Sequence, residues 1–382
     1  MVTAMPPQRR GLAVLLATVF VDQVGFGILL PFLPLYAKTF GASGFEVGLL
    51  LAMYSGMQML VSTWWGRLSD RIGRRPVIAA AAAGTCAGFV ILGFAPTLAV
   101  VFVGRALLGS FGVGIATAQA WVADTTPPED RGRVMGLVGA FGGLGFVFGP
   151  AIGALGILLG GMRLPFFVSA VCAAGNAVLA ATLLPVAAPV AAAGRTRVRG
   201  AWRPIAPCLA VAFVLTYAFS NIEATFAMFT RAELGLGPAG NGWLFVAMGS
   251  AAALTQVVAL GPLTRRLDEP RRVALGLMLL AGGAACLPLA TTVAILIAPL
   301  TAMAVGFAIG SPSLIAWISR RSPADRQGEL LGLAQSTSAL ARVVGPGIGG
   351  LLFDHVDHAS PFRIAAVVIA GAAITALATR SA

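Results

Sequence analysis

Long apolar segments alternate along the chain with short polar segments that contain glycine, proline or arginine. An α-helix needs roughly 20 apolar residues to cross the hydrocarbon core of a bilayer, so each long segment is a candidate membrane span. Twelve such spans are predicted, at about 11–37, 45–65, 77–95, 97–123, 134–159, 164–185, 204–230, 240–262, 272–290, 292–318, 329–353 and 361–379. The pattern predicts an all-α membrane protein with twelve transmembrane helices.

The composition excludes a soluble globular protein. Hydrophobic residues make up 58% of the chain, charged residues only 10%, and the mean hydropathy is +0.90. The first apolar segment is too long for the core of a signal peptide and contains Asp22, so it is interpreted as a span. All four cysteines lie within apolar segments and lack metal-ligand spacing, so neither disulfides nor a metal site is predicted from them.

The distribution of charge predicts the topology. The net charge of +12 does not indicate a nucleic-acid partner, because the basic residues recur in short polar segments and are not gathered on one aqueous face. Alternating the segments across a membrane places twenty Lys and Arg residues on one side and only four on the other. By the positive-inside rule, both termini are expected in the cytoplasm, with the protein in the inner (plasma) membrane.

Internal repeats predict two similar halves. Residues 186–203 are rich in alanine, proline and arginine without hydrophobic periodicity, which indicates a cytoplasmic linker. The tetrapeptides at 66–69 and 128–131 recur in altered form 195 residues later, and the glycine-proline segment at 149–153 recurs after 196 residues. The chain is therefore predicted to form two pseudo-symmetric six-helix bundles, at 1–185 and 204–382, as expected of parallel repeats.

A dense charge cluster at 66–76, predicted to be a loop between the second and third spans, carries a family resemblance. It resembles the signature Gly-x-Leu-Ser/Ala-Asp-Arg-x-Gly-Arg-Arg of the major facilitator superfamily at every specified position. The resemblance implies a conformational latch in which Asp70 faces the start of the eleventh helix, at 327–328, and Arg74 pairs with Asp124. The alternative is a basic loop that only determines topology. The predicted latch residues are Gly66, Asp70, Arg71, Gly73, Arg74, Arg75 and Asp124.

Three further segments carry family resemblances, one of them to the tetracycline and multidrug efflux branch of proton antiporters. Arg105 precedes Gly109 by four residues, as in the fourth-helix signature of the superfamily, and residues 20–34 are similar to the first helix of that branch. The fifth span resembles the antiporter signature, although Ala154 replaces its closing glycine; simple helix packing is the alternative. The glycine-proline residues assigned to this role in the two halves are Gly145, Gly149, Pro150, Gly153, Gly345, Pro346 and Gly349.

Four charged residues lie within the predicted spans: Asp22, Arg105, Glu223 and Arg342. Charge in the membrane is costly, so these residues are expected to face the protein interior and to exchange partners during proton coupling, with Asp22 as the first candidate carrier. Helical depth suggests pairs between Arg105 and Glu223 and between Arg342 and Asp22. Alternatively, Arg105 forms a fixed structural pair, or Glu223 lies near the outer surface and is solvated.

Polar and aromatic side chains on the spans that line the cavity in this family are the candidates for substrate contact. A mostly apolar cavity with amides and aromatic rings suits small amphipathic molecules. The candidates are Gln23, Phe26, Tyr54, Gln58, Gln119, Tyr217, Asn221, Phe226, Gln256 and Gln335. The acidic and histidine residues at 354–358 are expected to form a solvated external turn, with a metal site as the less favoured alternative.

The resemblance implies an alternating-access exporter that exchanges inward-moving protons for a small amphipathic molecule, without a cofactor. The protein is expected to be a monomer surrounded by membrane lipids. No nucleotide-binding loop or catalytic constellation is present in the sequence, so an ATP-driven pump or an enzyme is not predicted. Two alternatives remain: an exporter of a metabolite such as a sugar or amino acid, and a receptor or scaffold on the same fold that does not transport.

Overall fold

The computed structural model describes residues 7–112, 114–126, 128–184, 202, 205–323 and 326–379. Within these ranges the structure is almost entirely helical. The α-helices are α1 (Pro7–Lys38), α2 (Gly44–Ile72), α3 (Arg74–Phe94), α4 (Leu98–Phe111), α5 (Gly114–Thr125), α6 (Pro128–Gly160), α7 (Leu164–Leu183), α8 (Ala206–Leu234), α9 (Pro238–Leu254), α10 (Leu260–Arg266), α11 (Glu269–Cys286), α12 (Val293–Arg321), α13 (Gln327–His355) and α14 (Ser360–Ala378).

The helices are compatible with twelve spans. In the described part of the chain, ten helical segments are long and apolar enough to cross a membrane; one of them joins α9 and α10 through a π-helical turn, Thr255–Ala259. The fourth predicted span is divided between α4 and α5, because the first of these helices ends before Gly112. The eleventh is α13, which has 29 residues and includes Arg342 and several other polar side chains. The protein is a multi-pass helical membrane protein.

The charge cluster at 66–76 is not the loop that the sequence predicted. Helix α2 continues through it to Ile72, and α3 begins at Arg74, so only Gly73 interrupts the helices. Gly73 has φ 91° and ψ 164°, a conformation that is essentially restricted to glycine. Asp70, in the last turn of α2, and Arg74, the first residue of α3, form an ion pair of 2.8 Å across this interruption.

Contacts between Cα atoms divide the chain into two compact units. The first contains residues 1–40, 53–195 and 238–243, and the second contains residues 41–52, 196–237 and 244–382. In the first unit α1 packs on α6, and α3 packs on both α4 and α7; in the second unit α8 packs on α13, and α11 packs on both α12 and α14. The two packing schemes correspond helix by helix. The bundle boundaries at 185 and 204 stay a prediction, because most of the linker lies outside the described residues.

Most of the long helices combine a packed face with exposed apolar side chains. One core of the first unit joins α1, α3, α5, α6 and α7 around Leu15, Trp121 and Val138. Elsewhere large aliphatic side chains remain exposed, including Leu159 at 82%, Val257 at 82% and Val367 at 73%. In water such a surface would be unfavourable, whereas a bilayer offers it an apolar environment.

Candidate functional site

Helix α1 carries Asp22, and its position is determined by close packing against α6. A Cβ atom on Gly145 would lie 2.5 Å from the Phe20 carbonyl oxygen, and one on Gly149 would lie 2.6 Å from the Val24 carbonyl oxygen. Only glycine allows the two backbones to approach this closely. The glycines of the predicted antiporter signature therefore form the contact that holds the Asp22 segment of α1 in place.

A small cleft inside the first unit surrounds Asp22. Asp22 itself is partly buried, and the cleft is bounded by four helices of that unit. Its lining consists of Asp22, Gln23, Phe26 and Leu29 from α1, Tyr54 from α2, Thr85 and Phe89 from α3, and Leu108 and Gly112 at the end of α4. A carboxyl group in such a cleft can hold and release a proton, while the Gln23, Tyr54 and Thr85 side chains offer hydrogen-bonding groups.

Arg105 is linked to the cleft through Tyr54. The guanidinium carbon of Arg105 lies 4.6 Å from the centre of the Tyr54 ring, and the Arg105 residue is only 2% exposed. The Tyr54 ring is also 5.5 Å from the ring of Phe26, measured between centroids. A cation over an aromatic face is stabilised most when water is excluded. Tyr54 thus lies between the intramembrane cation and the cleft that contains Asp22.

The end of α4 is held by side chains from α2. The Gln58 amide donates a hydrogen bond to the carbonyl oxygen of Gly112, and the Trp65 indole N–H donates to the carbonyl oxygen of Ser110 at 2.6 Å. Carbonyl groups at a helix end have no partner within the helix, and in a membrane they cannot rely on bulk water. These two bonds therefore stabilise the interruption of the fourth span next to the cleft.

The remaining predicted substrate residues have different surroundings. Asn221 and Phe226 are fully buried on α8; the Asn221 amide donates to the Pro361 carbonyl oxygen at 3.2 Å, and the Phe226 ring packs edge-on against Phe245. Tyr217 is also buried and stacks with Phe213. Asn221 and Phe226 thus link α8 to neighbouring helices, whereas the Tyr217 ring contact lies within α8. Gln119, Gln256 and Gln335 are exposed side chains, and substrate contact by all six stays a prediction.

Glu223 and Arg342 lie in the second unit. Glu223 is on α8 and Arg342 is on α13, two helices that pack together, and both side chains are partly buried. Their predicted pairing with Arg105 and Asp22 stays a prediction.

The glycine-proline segment of α13 packs on α8 as its counterpart in α6 packs on α1. A Cβ atom on Gly345 would lie 2.8 Å from the Tyr217 carbonyl oxygen, and one on Gly349 would overlap the Asn221 side chain. The repeated motif thus has the same packing role in both units. On the opposite side of the segment, Pro346 and Gly350 contact the start of α2.

The predicted latch residues form contacts at the junction of α2 and α3. Arg74 binds the Asp70 carboxylate at 2.8 Å and donates to the Ser69 hydroxyl at 2.9 Å. Arg75 donates to the carbonyl oxygen of Ala181 at the end of α7 at 3.0 Å, whereas Gly66 and Arg71 are exposed. The Asp124 side chain lies outside the described residues, so its pairing with Arg74 stays a prediction.

The second half carries acids near the equivalent junction. At the position that corresponds to Asp70 it has Arg265. Three and four residues later, however, Asp268 caps α11 by accepting from the Arg271 N–H at 3.2 Å, and Glu269 binds both Arg272 and Arg320 at 3.2 Å. Helix α11 of the second half begins with the acid Glu269, whereas the corresponding helix α3 of the first half begins with the base Arg74. A motif search misses this cluster because the acids are displaced from the signature positions.

Sequence reasoning also missed several residues around Asp22. Thr85 and Phe89 line the cleft from α3, and Leu108 and Gly112 line it from the end of α4. Thr85 is the single hydroxyl residue of α3, but the sequence does not show which neighbouring helix it faces. The positions of these lining residues depend on how the four helices are rotated, which is determined by packing.

A multi-pass helical fold with a charged cleft between its helices is the arrangement expected of a membrane transport protein. A sequence model of the Major Facilitator Superfamily matches residues 15–229 and 208–381. The chain belongs to the Major Facilitator Superfamily, which is a family of transporters and not a class of enzymes.

Individual relatives are similar over most of their length. The class C tetracycline resistance protein of Escherichia coli is 32% identical over 353 residues, which cover 88% of each chain. Multidrug resistance protein 2 of Bacillus subtilis is 29% identical over 389 residues, covering 96% of this chain and 95% of that protein.

Solved structures of transporters have the same fold. A crystal structure of a peptide transporter in complex with sulfate superimposes with a TM-score of 0.82 at 14% identity, covering 97% of this chain and 94% of that chain. The human organic anion transporter MFSD10 superimposes with a TM-score of 0.73 at 21% identity, covering 97% of this chain and all of that chain. At these identities the likeness shows the fold alone.

Proposed function

We propose that this protein is a proton-coupled exporter of small amphipathic molecules that works by alternating access. The observation that carries the proposal is the Asp22 cleft, in which a carboxyl group lies among amide, hydroxyl and aromatic side chains within the first unit. Relatives over most of the chain are tetracycline and multidrug resistance proteins, which supports drug-like substrates. The energy source is the proton gradient, and no cofactor takes part.

Asp22 is the proton carrier in this proposal. A proton entering from outside neutralises its carboxylate, and its release to the cytoplasm restores the charge. Arg105 provides a positive charge behind Tyr54, at 4.6 Å from the ring centre, and a change in the Asp22 charge alters the electrostatic balance around it. Glu223 and Arg342 are proposed to take part in the same exchange from the second unit.

The protein is proposed to act as a monomer in the inner (plasma) membrane, with both termini in the cytoplasm and lipid around its exposed apolar faces. The excess of Lys and Arg on one side of the predicted topology supports this orientation. The predicted latch at the end of α2 and the glycine packing of α6 on α1 are assigned to the movement between inward-open and outward-open states.

The test uses inverted membrane vesicles with an acidic lumen and a pH-sensitive dye. Tetracyclines, cationic dyes, sugars and amino acids are added to vesicles with wild type, Asp22→Asn or Asp357→Asn. The control removes the same charge from an exposed acid that binds Arg363 at 3.1 Å, outside the cleft. We expect an amphipathic compound to collapse the gradient in wild type and Asp357→Asn but not in Asp22→Asn.

The outcome separates the alternatives. A response restricted to sugars or amino acids would favour the metabolite exporter. A compound-dependent collapse that persists unchanged in Asp22→Asn would remove Asp22 from the coupling mechanism. If no compound collapses the gradient although the protein is present in the vesicle membrane, the receptor or scaffold alternative gains support over proton antiport.

A further inference from the structure

The first turn of α2 contains a local cap that leaves two backbone donors without a partner nearby in sequence. The N–H of Ser43 donates to the Glu46 carboxylate at 2.7 Å, and the N–H of Glu46 donates to the Ser43 hydroxyl at 3.1 Å. This reciprocal arrangement is a capping box. It provides hydrogen-bond acceptors for the N–H groups of Ser43, the residue before the helix, and of Glu46, the third residue of the helix. The N–H groups of Gly44 and Phe45, the first two helical residues, need another acceptor.

Asp354, which is about three hundred residues away in sequence, supplies that acceptor. The N–H of Gly44 donates to one oxygen of its carboxylate and the N–H of Phe45 donates to the other, both at 2.8 Å. One side chain therefore satisfies both remaining donors with charge-assisted hydrogen bonds, at the end of a helix where a negative charge is favoured. The expectation that residues 354–358 form only a solvated external turn is wrong for Asp354.

The position of Asp354 in its own helix makes this contact informative. The residue lies in the last turn of α13, which ends at His355. A negative charge is unfavourable there, because the C-terminal end of a helix carries partial negative charge. Asp354 thus stabilises the start of α2 and destabilises the end of α13, the helix to which it belongs.

Close backbone packing surrounds the carboxylate. A Cβ atom on Gly44 would lie 3.0 Å from the Gly350 carbonyl oxygen, and one on Gly48 would overlap the Pro346 carbonyl oxygen. Two glycines one turn apart on α2 thus lie directly on the backbone of α13. Asp354 remains exposed to solvent, so this contact can open without leaving a buried, unpaired charge.

The contact lies at the point where α2 passes from one compact unit to the other. Residues 41–52 belong to the second unit together with α13, whereas the rest of α2, from Met53, belongs to the first. If the start of α2 moves away from α13, the hydrogen bonds from the Gly44 and Phe45 N–H groups to the Asp354 carboxylate break.

We propose that Asp354 is a latch that holds the start of α2 on the end of α13 and is released once in each transport cycle. This inference rests on the proposed alternating-access function. It would be a second latch beside the one predicted from the family resemblance at Asp70, whose contact with the start of the eleventh span stays a prediction.

The test measures how readily the contact opens. Val47 is fully buried and directly precedes Gly48 on α2, so a cysteine there, in a background without the native cysteines, should react faster with an impermeant maleimide when the contact opens. Labelling is compared in intact cells for the Val47→Cys protein alone and with Asp354→Asn, Asp354→Glu or Asp357→Asn. Loss of the charge should accelerate labelling roughly tenfold, while Asp354→Glu and Asp357→Asn should stay near the parent rate.

A salt series provides a measurement that does not depend on the folding of a variant. Salt screens an exposed charge at a helix end, so labelling of the parent protein should accelerate between low and high salt. The Asp354→Asn protein should show a flat response. Equal labelling rates in all four proteins, or a flat salt response in the parent, would overturn the latch.

A turnover measurement separates this inference from the proposed function. A compound that collapses the proton gradient in vesicles should also accelerate labelling of the parent protein in cells. Proton exchange without any change in labelling would overturn the latch and leave the transport function intact. Absence of proton exchange would contradict the transport function, and the charge and salt measurements would still decide whether Asp354 holds the contact closed.

Discussion

At the scale of single residues, the Arg105 and Tyr54 pair shows how a costly charge is accommodated near the candidate proton carrier. The guanidinium group lies over the Tyr54 ring at 4.6 Å from its centre, and the same ring contributes to the wall of the Asp22 cleft. Arginine within a membrane span is expensive unless it gains electrostatic stabilisation from its neighbours. Tyr54 therefore contributes to both the stability of Arg105 and the shape of the cleft.

Replacement of Tyr54 tests this role. Tyr54→Leu removes the aromatic face and should lower the stability of the purified protein by about 2 kcal/mol, the value of a desolvated cation–π contact. Tyr54→Phe retains the face and should lose less than half as much. The measurement is the apparent melting temperature in detergent, with proton exchange followed in vesicles. Equal losses in both variants would assign the effect to the hydroxyl group instead of the ring.

At the scale of helices, the glycines of the charge cluster differ although the family signature treats them alike. Gly66 is a helical residue of α2, and a Cβ atom there would meet no atom within 4 Å. Gly73 separates α2 from α3 with φ at 91° and ψ at 164°. Backbone conformation requires glycine at position 73.

Alanine substitutions at the two positions should have opposite effects. Gly66→Ala should stabilise α2 by about 0.8 to 1 kcal/mol, because alanine is the better helix former. Gly73→Ala should destabilise the protein by roughly 1 to 3 kcal/mol, because alanine is strained in that conformation. The apparent melting temperature should rise for the first variant and fall for the second. A fall of the same size in both would contradict the helical assignment of Gly66.

At the scale of the whole molecule, the distribution of charge predicts the orientation in the membrane. Twenty Lys and Arg residues fall on the side of the termini in the twelve-span topology, against Lys38, Arg163, Arg231 and Arg363 on the other side. Positive charge in short loops is retained in the cytoplasm during insertion. The predicted orientation therefore places the contact between Asp354 and Gly44 on the external side.

Reporter fusions test this orientation. Alkaline phosphatase is active only outside the cytoplasm, so a fusion after residue 382 should be inactive, while a green fluorescent protein at the same site should fluoresce. A phosphatase fusion after residue 358, in the predicted external turn, serves as the matched control and should be active. The reverse pattern at the two sites would show that the positive-inside assignment is inverted for this chain.

Local sequence patterns were sufficient to predict the class of fold, a twelve-span topology and the charged residues within the spans. Hydrophobic periodicity and helix-end signals are local, and a bilayer imposes one helix length on every span, so these features can be derived without knowledge of packing. The glycine motifs were equally visible, and their presence in both halves indicated duplication.

Which residues are in contact depends on the packing of the helices against one another. Tertiary structure placed Thr85 and Phe89 beside Asp22 and put Tyr54 under Arg105. It also joined Asp354 to the start of α2, about three hundred residues away in sequence. The physical reason is that helix length and depth follow from local sequence, whereas the rotation of each helix and its neighbours follow from close packing among residues far apart in the chain.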